Sequence, residues 1–73
     1  MTETKSLRRL RREQLLTIRG LAARAGISDR TVKLAEAGRR EPSLRTIRKV
    51  AAALGVAPDE VAEFARVIEG ETP

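Results

Sequence analysis

Apolar residues recur along the chain at steps of three and four, which is the spacing of one face of an α-helix. The clearest stripe consists of Leu44, Ile47, Val50, Ala51 and Leu54. Residues that favour helix ends lie between the stripes and divide the pattern into segments. The pattern therefore predicts five short helices and no strand, over about residues 6–14, between Thr17 and Gly26, between Ser28 and Gly38, between Ser43 and Gly55, and from Pro58 to about residue 69.

The segment LAARAGISDRTV interrupts what would otherwise be one long helix. Ala22, Gly26 and Val32 occupy positions 5, 9 and 15 of a helix-turn-helix window, and Leu21 and Ile27 are apolar where that motif needs apolar residues. In such a motif the alanine lets two helices cross closely and the valine packs between them. The glycine takes a left-handed conformation that would cost another residue ~1–2 kcal/mol. The interruption predicts a helix-turn-helix, and a helical hairpin without a nucleic-acid role is the alternative.

Charge is distributed unevenly along the chain. The net charge is +5, but residues 1–49 carry fourteen basic and five acidic side chains, whereas residues 50–73 carry one and five. A basic front half and an acidic rear half favour a surface that binds a polyanion. Phe64 is the single aromatic residue, which is too few for a surface that stacks unpaired bases. The composition therefore favours duplex over single-stranded nucleic acid.

Several functional classes are disfavoured by residues that the chain lacks. It has no cysteine and no histidine, which removes thiolate ligands, the commonest metal ligand and the commonest general base. We therefore expect no metal, no cofactor and no enzymatic activity. No apolar run reaches the roughly 20 residues that span a bilayer, so we expect no membrane association and a cytoplasmic, nucleoid-associated protein. The length predicts one domain, residues 1–73, with an ordered core over about residues 6–69 and short flexible tails.

Four segments, LRRLR, LTIRGLAARAGIS, RTVKLAEAGRREPSL and IRKVAAALGV, carry a resemblance to a known family. Residues 7–61, which contain these segments, resemble the helix-turn-helix domain of the phage repressor and Cro family, also called the xenobiotic-response-element family. The resemblance implies an all-α fold, a compact five-helix bundle of the lambda-repressor type. It also implies binding to operator DNA, usually as a dimer, with the third helix in the major groove.

The resemblance further implies which side chains touch the bases. The family's base-reading positions fall on Ser28, Asp29, Arg30, Lys33 and Leu34. Arg30 suits the two acceptors of guanine, and Lys33 can reach a neighbouring guanine or a phosphate. Asp29 either accepts from a cytosine amine or strengthens the start of the helix. Leu34 either touches a thymine methyl group or is an ordinary exposed leucine.

Phosphate contacts are expected where two helices begin, because backbone amides there are free to bind anions. An arginine cluster in GRREPSLR surrounds the second of these helix starts and is expected to supply at least one contact, although each arginine alone is more often a solvated charge. The predicted set is Thr17, Ile18, Arg39, Arg40, Ser43 and Arg45. If six phosphates are neutralised, log affinity should fall with log salt at a slope of about −5.

Glu36 lies in the last turn of the third helix, where the helix dipole disfavours an acid. The resemblance implies that Glu36 pairs with Arg11 of the first helix, and a solvated acid is the alternative. Compared with the family that the chain resembles, Ala35 is small for its core position, and Leu15 stands where a glycine often ends the first helix. These features predict a monomer of low stability, which dimerisation would offset.

The fifth helix is the expected dimer surface. Val61, Phe64 and Ala65 should close the core, which leaves Val67 and Ile68 to pack against a second copy. Fraying of the helix beyond Ala65 is the alternative. A homodimer with twofold symmetry would place two recognition helices about 34 Å apart and would require an inverted repeat in the DNA.

The leading hypothesis is a sequence-specific regulator that binds double-stranded DNA, a repressor of a phage, plasmid or other autoregulated locus. The second hypothesis is an antitoxin-like or other protein-interaction module that docks its acidic fifth helix on a small protein partner, with DNA binding secondary. The third is a basic amphipathic binder of membranes or a calmodulin-type protein, built on KSLRRLRREQLL. That hypothesis is disfavoured because the leucines of this helix are needed for the core.

Overall fold

The computed structural model describes residues 4–39 and 41–70. Within these ranges the fold is all-α, and the prediction of five helices is confirmed. A short 3₁₀ helix, Pro58–Glu60, precedes the last of them. The five α-helices are α1 (Leu7–Glu13), α2 (Ile18–Ala25), α3 (Asp29–Ala37), α4 (Leu44–Leu54) and α5 (Ala62–Gly70).

The first four helices begin in the same way. A hydroxyl side chain before each helix accepts a hydrogen bond from the amide three residues further on, at 2.9–3.1 Å, which satisfies one of the unpaired donors of the first turn. These caps are Ser6, Thr17, Ser28 and Ser43. Glu63 of α5 adds a long-range cap, because its Oε1 accepts from the Leu7 amide at 2.9 Å. The start of α1 is thereby attached to α5.

Left-handed glycines end α2, α3 and α4. Gly26 has φ 71° and ψ 36°, and the Ile27 amide donates back to the Ala22 carbonyl at 2.9 Å. This bond closes the last turn of α2 and sends the chain in a new direction. A Cβ added at Gly26 would meet nothing within 4 Å. Glycine is therefore required by the backbone angle rather than by lack of space.

Helix α1 ends in the same geometry without a glycine. Leu15 has φ 58°, and the Leu16 amide donates to the Arg11 carbonyl at 3.1 Å. The Leu15 residue is 92% exposed, so no packing of its side chain compensates for the left-handed conformation. An L-residue in this conformation costs roughly 1–2 kcal/mol.

The fifth helix begins later than the sequence predicts. Residues Pro58–Glu60 form a 3₁₀ turn, and Val61 is extended, with φ −92° and ψ 117°. The reason is an isolated parallel bridge to the N-terminal segment, in which the Lys5 amide donates to the Glu60 carbonyl at 3.0 Å and the Ala62 amide donates to the Lys5 carbonyl at 2.9 Å. The prediction of a continuous helix from Pro58 is therefore wrong, and α5 starts at Ala62.

The core lies between all five helices. Its fully buried side chains are Leu7, Leu21, Val32, Ile47, Val50, Val61 and Phe64. Burying each of the larger ones contributes about 1.5–3 kcal/mol. α2 packs against both α3 and α4, so it is the central helix of the bundle.

The face that α5 turns to the core differs from the prediction. Val67 is 6% exposed and joins Phe64 in the core, whereas Ala65 and Ile68 are partly exposed. Phe64 and Val67 are three residues apart and share one face of the helix. The expectation that Val67 is left uncovered by the bundle is therefore wrong, and this removes the reason for placing Val67 in a dimer surface.

Candidate nucleic-acid interface

Helix α3 is held against the core by one side. Val32 is fully buried, and Ala35 one turn later is also buried. Ala22 of α2 is buried as well, and the small alanine side chain allows the two helices to approach closely. The left-handed Gly26 sets the direction of the chain between them. The opposite side of α3 is consequently turned to solvent.

Arg30 and Lys33 occupy the solvent side of α3. Both are exposed, and they are three residues apart, so they project from neighbouring turns of one face. Neither forms an ion pair within residues 4–39 and 41–70. Two cations are thus presented together on an exposed helix, without an intramolecular anion to compete for them.

Ser28 and Asp29 have intramolecular partners at the start of α3. The Ser28 hydroxyl caps the Thr31 amide at 3.1 Å and lies 2.8 Å from the Thr31 hydroxyl. Asp29 Oδ2 lies 3.7 Å from Nε of Arg19 on α2. An acid in the first turn also interacts favourably with the helix dipole. Both residues therefore support the helix, and contact with bases remains a prediction for them.

Leu34 is half-buried rather than freely exposed. It lines a recess of about 280 Å³ between α3 and the start of α4, together with Thr31, Ser43 and Thr46. The Leu34 side chain therefore lies beside the N-terminus of α4, in a recess that Arg30 does not line. A contact with a thymine methyl group stays a prediction.

Arg11 and Glu36 connect α1 to the end of α3. Arg11 Nε lies 2.6 Å from Glu36 Oε2, and Nη2 lies 3.2 Å from Oε1. The two side chains are only 9% and 10% exposed. Arg11 Nη1 also donates to the Leu16 carbonyl at 2.8 Å. The guanidinium therefore joins three segments and fixes the position of α3 relative to α1 and α2.

The two helix starts predicted to bind phosphate are both solvent-accessible. Thr17 and Ser43 are exposed caps of α2 and α4, and Arg45 is exposed in the first turn of α4. Ile18 is half-buried and packs against the core, so only its backbone amide is suited to bind an anion. Arg39 is exposed after α3. Arg40 lies outside the described residues.

Arg8 of α1 is a residue to which the sequence pattern assigns no role. It lines a recess with Lys33 of α3 and Ile18 of α2. Helical spacing places Arg8 one turn before Arg11, which is the signal that could have brought it to notice. The basic surface beside α3 therefore extends onto α1.

Two further observations limit the chemistry of the molecule. Among the described residues, no group of three or more acidic side chains is placed to hold a metal ion. None of the helices in residues 4–39 and 41–70 is long and apolar enough to cross a membrane.

Comparison with known proteins adds to this geometry. A family model described as helix-turn-helix matches residues 7–61, the region that contains α1 to α4 and the 3₁₀ turn. The chain belongs to the helix-turn-helix family. Within it the chain is of the xenobiotic-response-element type and carries that family's DNA-binding domain.

A curated relative supports the same assignment. The chain is 43% identical over 53 residues to a Sinorhizobium fredii (strain NBRC 101917 / NGR234) protein named "Uncharacterized HTH-type transcriptional regulator y4dJ". The matched region covers 73% of this helix-turn-helix chain and 69% of the relative. The search of solved structures gives no match.

Proposed function

We propose that this helix-turn-helix protein is a transcription regulator that binds a specific sequence of double-stranded DNA and acts as a repressor. The observation that carries the proposal is the exposed pair Arg30 and Lys33 on α3, opposite the buried Val32. A helix presented in this way fits the major groove, where arginine can bind both acceptors of guanine. The curated relative, named as a transcriptional regulator, supports the same proposal.

In this proposal α3 reads the bases, and the surrounding surface holds the backbone. The starts of α2 and α4 bind phosphates through their amides, and the exposed Arg39 and Arg45 add positive charge near α4. Ser28 and Asp29 hold the first turn of α3 in place. This division predicts that Arg30 governs sequence preference, whereas the arginines near α4 govern affinity for any sequence.

Selection of bound duplexes from a random pool tests the proposal. The wild-type protein should enrich one sequence, and Arg30→Ala should lose preference at one base pair, worth about 1–3 kcal/mol. Arg66→Gln is a control that removes one positive charge elsewhere, because Arg66 is exposed on α5 and lines a recess at the end of α3 that does not contain Arg30. Enrichment of no sequence by the wild type, or an unchanged preference in Arg30→Ala, would contradict the proposal.

We propose that the protein binds an inverted repeat as a homodimer. Ile68 is partly exposed on α5 and is the remaining candidate for the contact between copies, since Val67 belongs to the core. Sedimentation over a range of protein concentrations should show a dimer that Ile68→Asp weakens. A monomer mass at every concentration, in the presence and absence of a selected duplex, would contradict self-association and leave DNA binding intact.

The alternative of a protein-interaction module is weakened by the structure of the acidic segment. Glu60 Oε2 accepts from the Ala57 amide at 3.2 Å, and Glu63 Oε1 accepts from the Leu7 amide. These two carboxylates already have partners within the chain. The membrane-binding alternative is weakened because Leu7 and Leu10 are buried, so α1 has no free apolar face. Proteins of this family are generally not enzymes.

A further inference from the structure

The four arginines of α1 differ in the partners they have. Arg9 Nε lies 3.2 Å from Glu13 Oε2, and Arg11 is bound by Glu36. Arg8 and Arg12 are exposed, and neither forms an ion pair within the described part of the chain. Only these two of the four can therefore offer a full charge to an external anion.

The position of Arg8 separates it from Arg12. A recess of about 310 Å³ lies between α1, the start of α2 and α3, and it is lined by Arg8, Arg11, Ile18, Lys33, Glu36 and Ala37. A second recess on α1 contains no residue of α3; Arg8 also lines it, together with Ser6, Arg9, Arg12 and Glu13. Of the two arginines without an ion pair, Arg8 lines the recess that contains Lys33 of α3, whereas Arg12 lines the recess without α3.

The charges around the first recess leave it strongly positive. Arg11 and Glu36 neutralise each other at 2.6 Å. Arg8 and Lys33 remain, from two different helices, and each is exposed. The Ile18 side chain has no polar group, so it cannot bind an anion. Its backbone amide is one of the first-turn donors of α2 that have no partner within the helix.

We propose that Arg8 and Lys33 together bind one backbone phosphate of the DNA duplex, in the recess between α1 and α3. The inference rests on the proposed function and deepens it. Two cations from different helices that converge on one recess suit a single anionic group, which both can contact at once. The consequence is that Lys33 positions the protein on the backbone, and Arg30 is the cation of α3 that reads a base.

The salt dependence of DNA binding provides the first test. Log affinity falls with log salt at a slope of about −0.9 for each phosphate neutralised. The double variant Arg8→Gln/Lys33→Gln should therefore have a slope about 0.9 shallower than wild type. Between 50 and 200 mM salt, wild-type affinity should fall about threefold more than that of the double variant. Arg12→Gln is the matched control, because Arg12 is an exposed arginine of the same helix that lines the recess without α3, and this variant should keep the wild-type slope.

A second test identifies the phosphate directly. A duplex that the wild type selects is prepared with a neutral methylphosphonate at one backbone position at a time, and the affinity of each duplex is measured. At one position the neutral group should weaken binding by the wild type. The same group should weaken binding by Arg8→Gln and by Lys33→Gln less than it weakens binding by the wild type. Such non-additivity is the signature of two groups in contact. The three variants should select the same base sequence as the wild type.

The outcomes separate the failure of this inference from the failure of the proposed function. If the wild type selects a duplex but every methylphosphonate weakens wild type and Arg8→Gln equally, the phosphate site is wrong and DNA recognition stands. A change of selected sequence in Lys33→Gln would instead assign Lys33 to a base and also overturn the site. If the wild type binds no duplex, both proposals fail. Arg8 and Lys33 are exposed, so circular dichroism should show all three variants folded.

Discussion

Replacing Arg11 with methionine is expected to cost more stability than any surface substitution in this protein. The guanidinium makes two contacts with the Glu36 carboxylate, at 2.6 and 3.2 Å, and a third with the Leu16 carbonyl at 2.8 Å. Both charged side chains are about nine-tenths buried. Methionine fills part of the volume but donates no hydrogen bond. The carboxylate would therefore stay buried without its counter-charge.

The size of this effect follows from the burial of the pair. Removing one partner of a buried ion pair costs about 3–5 kcal/mol, because the other charge is left stranded. A domain of this length rarely has more than about 3–5 kcal/mol of net stability. Arg11→Met should therefore be largely unfolded at room temperature. Glu36→Gln keeps an acceptor for Arg11 and should lose less, about 1.5–3 kcal/mol.

Urea and thermal unfolding, both followed by circular dichroism, measure these differences. Glu36→Gln should remain folded and should melt at least about 6 °C below wild type. The double variant Arg11→Met/Glu36→Leu should be more stable than Arg11→Met alone, since it leaves no stranded charge and only the Leu16 carbonyl loses its donor. A wild-type midpoint for Arg11→Met, or a double variant no more stable than Arg11→Met, would refute the reasoning.

Three further predictions concern the ends of α1. Leu15→Gly should raise the free energy of unfolding by roughly 0.5–1 kcal/mol, because relief of the left-handed strain exceeds the conformational freedom gained by the unfolded chain. An unchanged or lower urea midpoint would show that Leu15 is not strained. Glu63→Ala should cost about 1–2 kcal/mol, because the Leu7 amide loses its acceptor; wild-type amide exchange at Leu7 would contradict it. The side-chain hydrogen bond from Lys5 lowers the pKa of Glu13, so this interaction stabilises the fold at neutral pH and is lost as the pH falls through the lowered pKa. Lys5→Gln should raise that pKa in an NMR titration, and no change would remove Lys5 as its cause.

The starts and ends of the first four helices could be predicted because they depend on local sequence. A hydroxyl cap needs only the amide three residues away, and Gly26 needs only a permitted left-handed angle. The start of α5 depends instead on Lys5, whose backbone pairs with residues more than fifty positions away. The carboxylates and proline of residues 58–60 are typical of a helix start, and they do form a turn of 3₁₀ helix. Tertiary pairing then interrupts it.

The error at the end of α5 has the same origin. The apolar residues around Phe64 fit two possible core-facing sides of the helix, one that includes Ala65 and one that includes Val67. These two sides overlap, so the sequence alone does not choose between them. The extended Val61 fixes the start of α5 at Ala62 and so sets which face meets the core. Val67 is buried as a result, and Ile68 is left partly exposed. The candidate dimer surface therefore keeps Ile68 and loses Val67, and its apolar area is smaller than the sequence suggests.

The candidate DNA surface shows the same division between local and long-range information. Arg30 and Lys33 could be assigned to one exposed face from their spacing and from the burial expected of Val32. The spacing of LRRLRR places Arg8 one turn before Arg11, but four of its six residues are basic, and the pattern does not show which of them are paired in the fold. Arg9 pairs with Glu13 within α1 itself, but the pairing of Arg11 with Glu36 and the recess that Arg8 shares with Lys33 form only once α1 and α3 are packed together. Which arginine is free to bind a phosphate is thus a property of the assembled fold, and the buried Arg11–Glu36 pair that orients these helices also decides it.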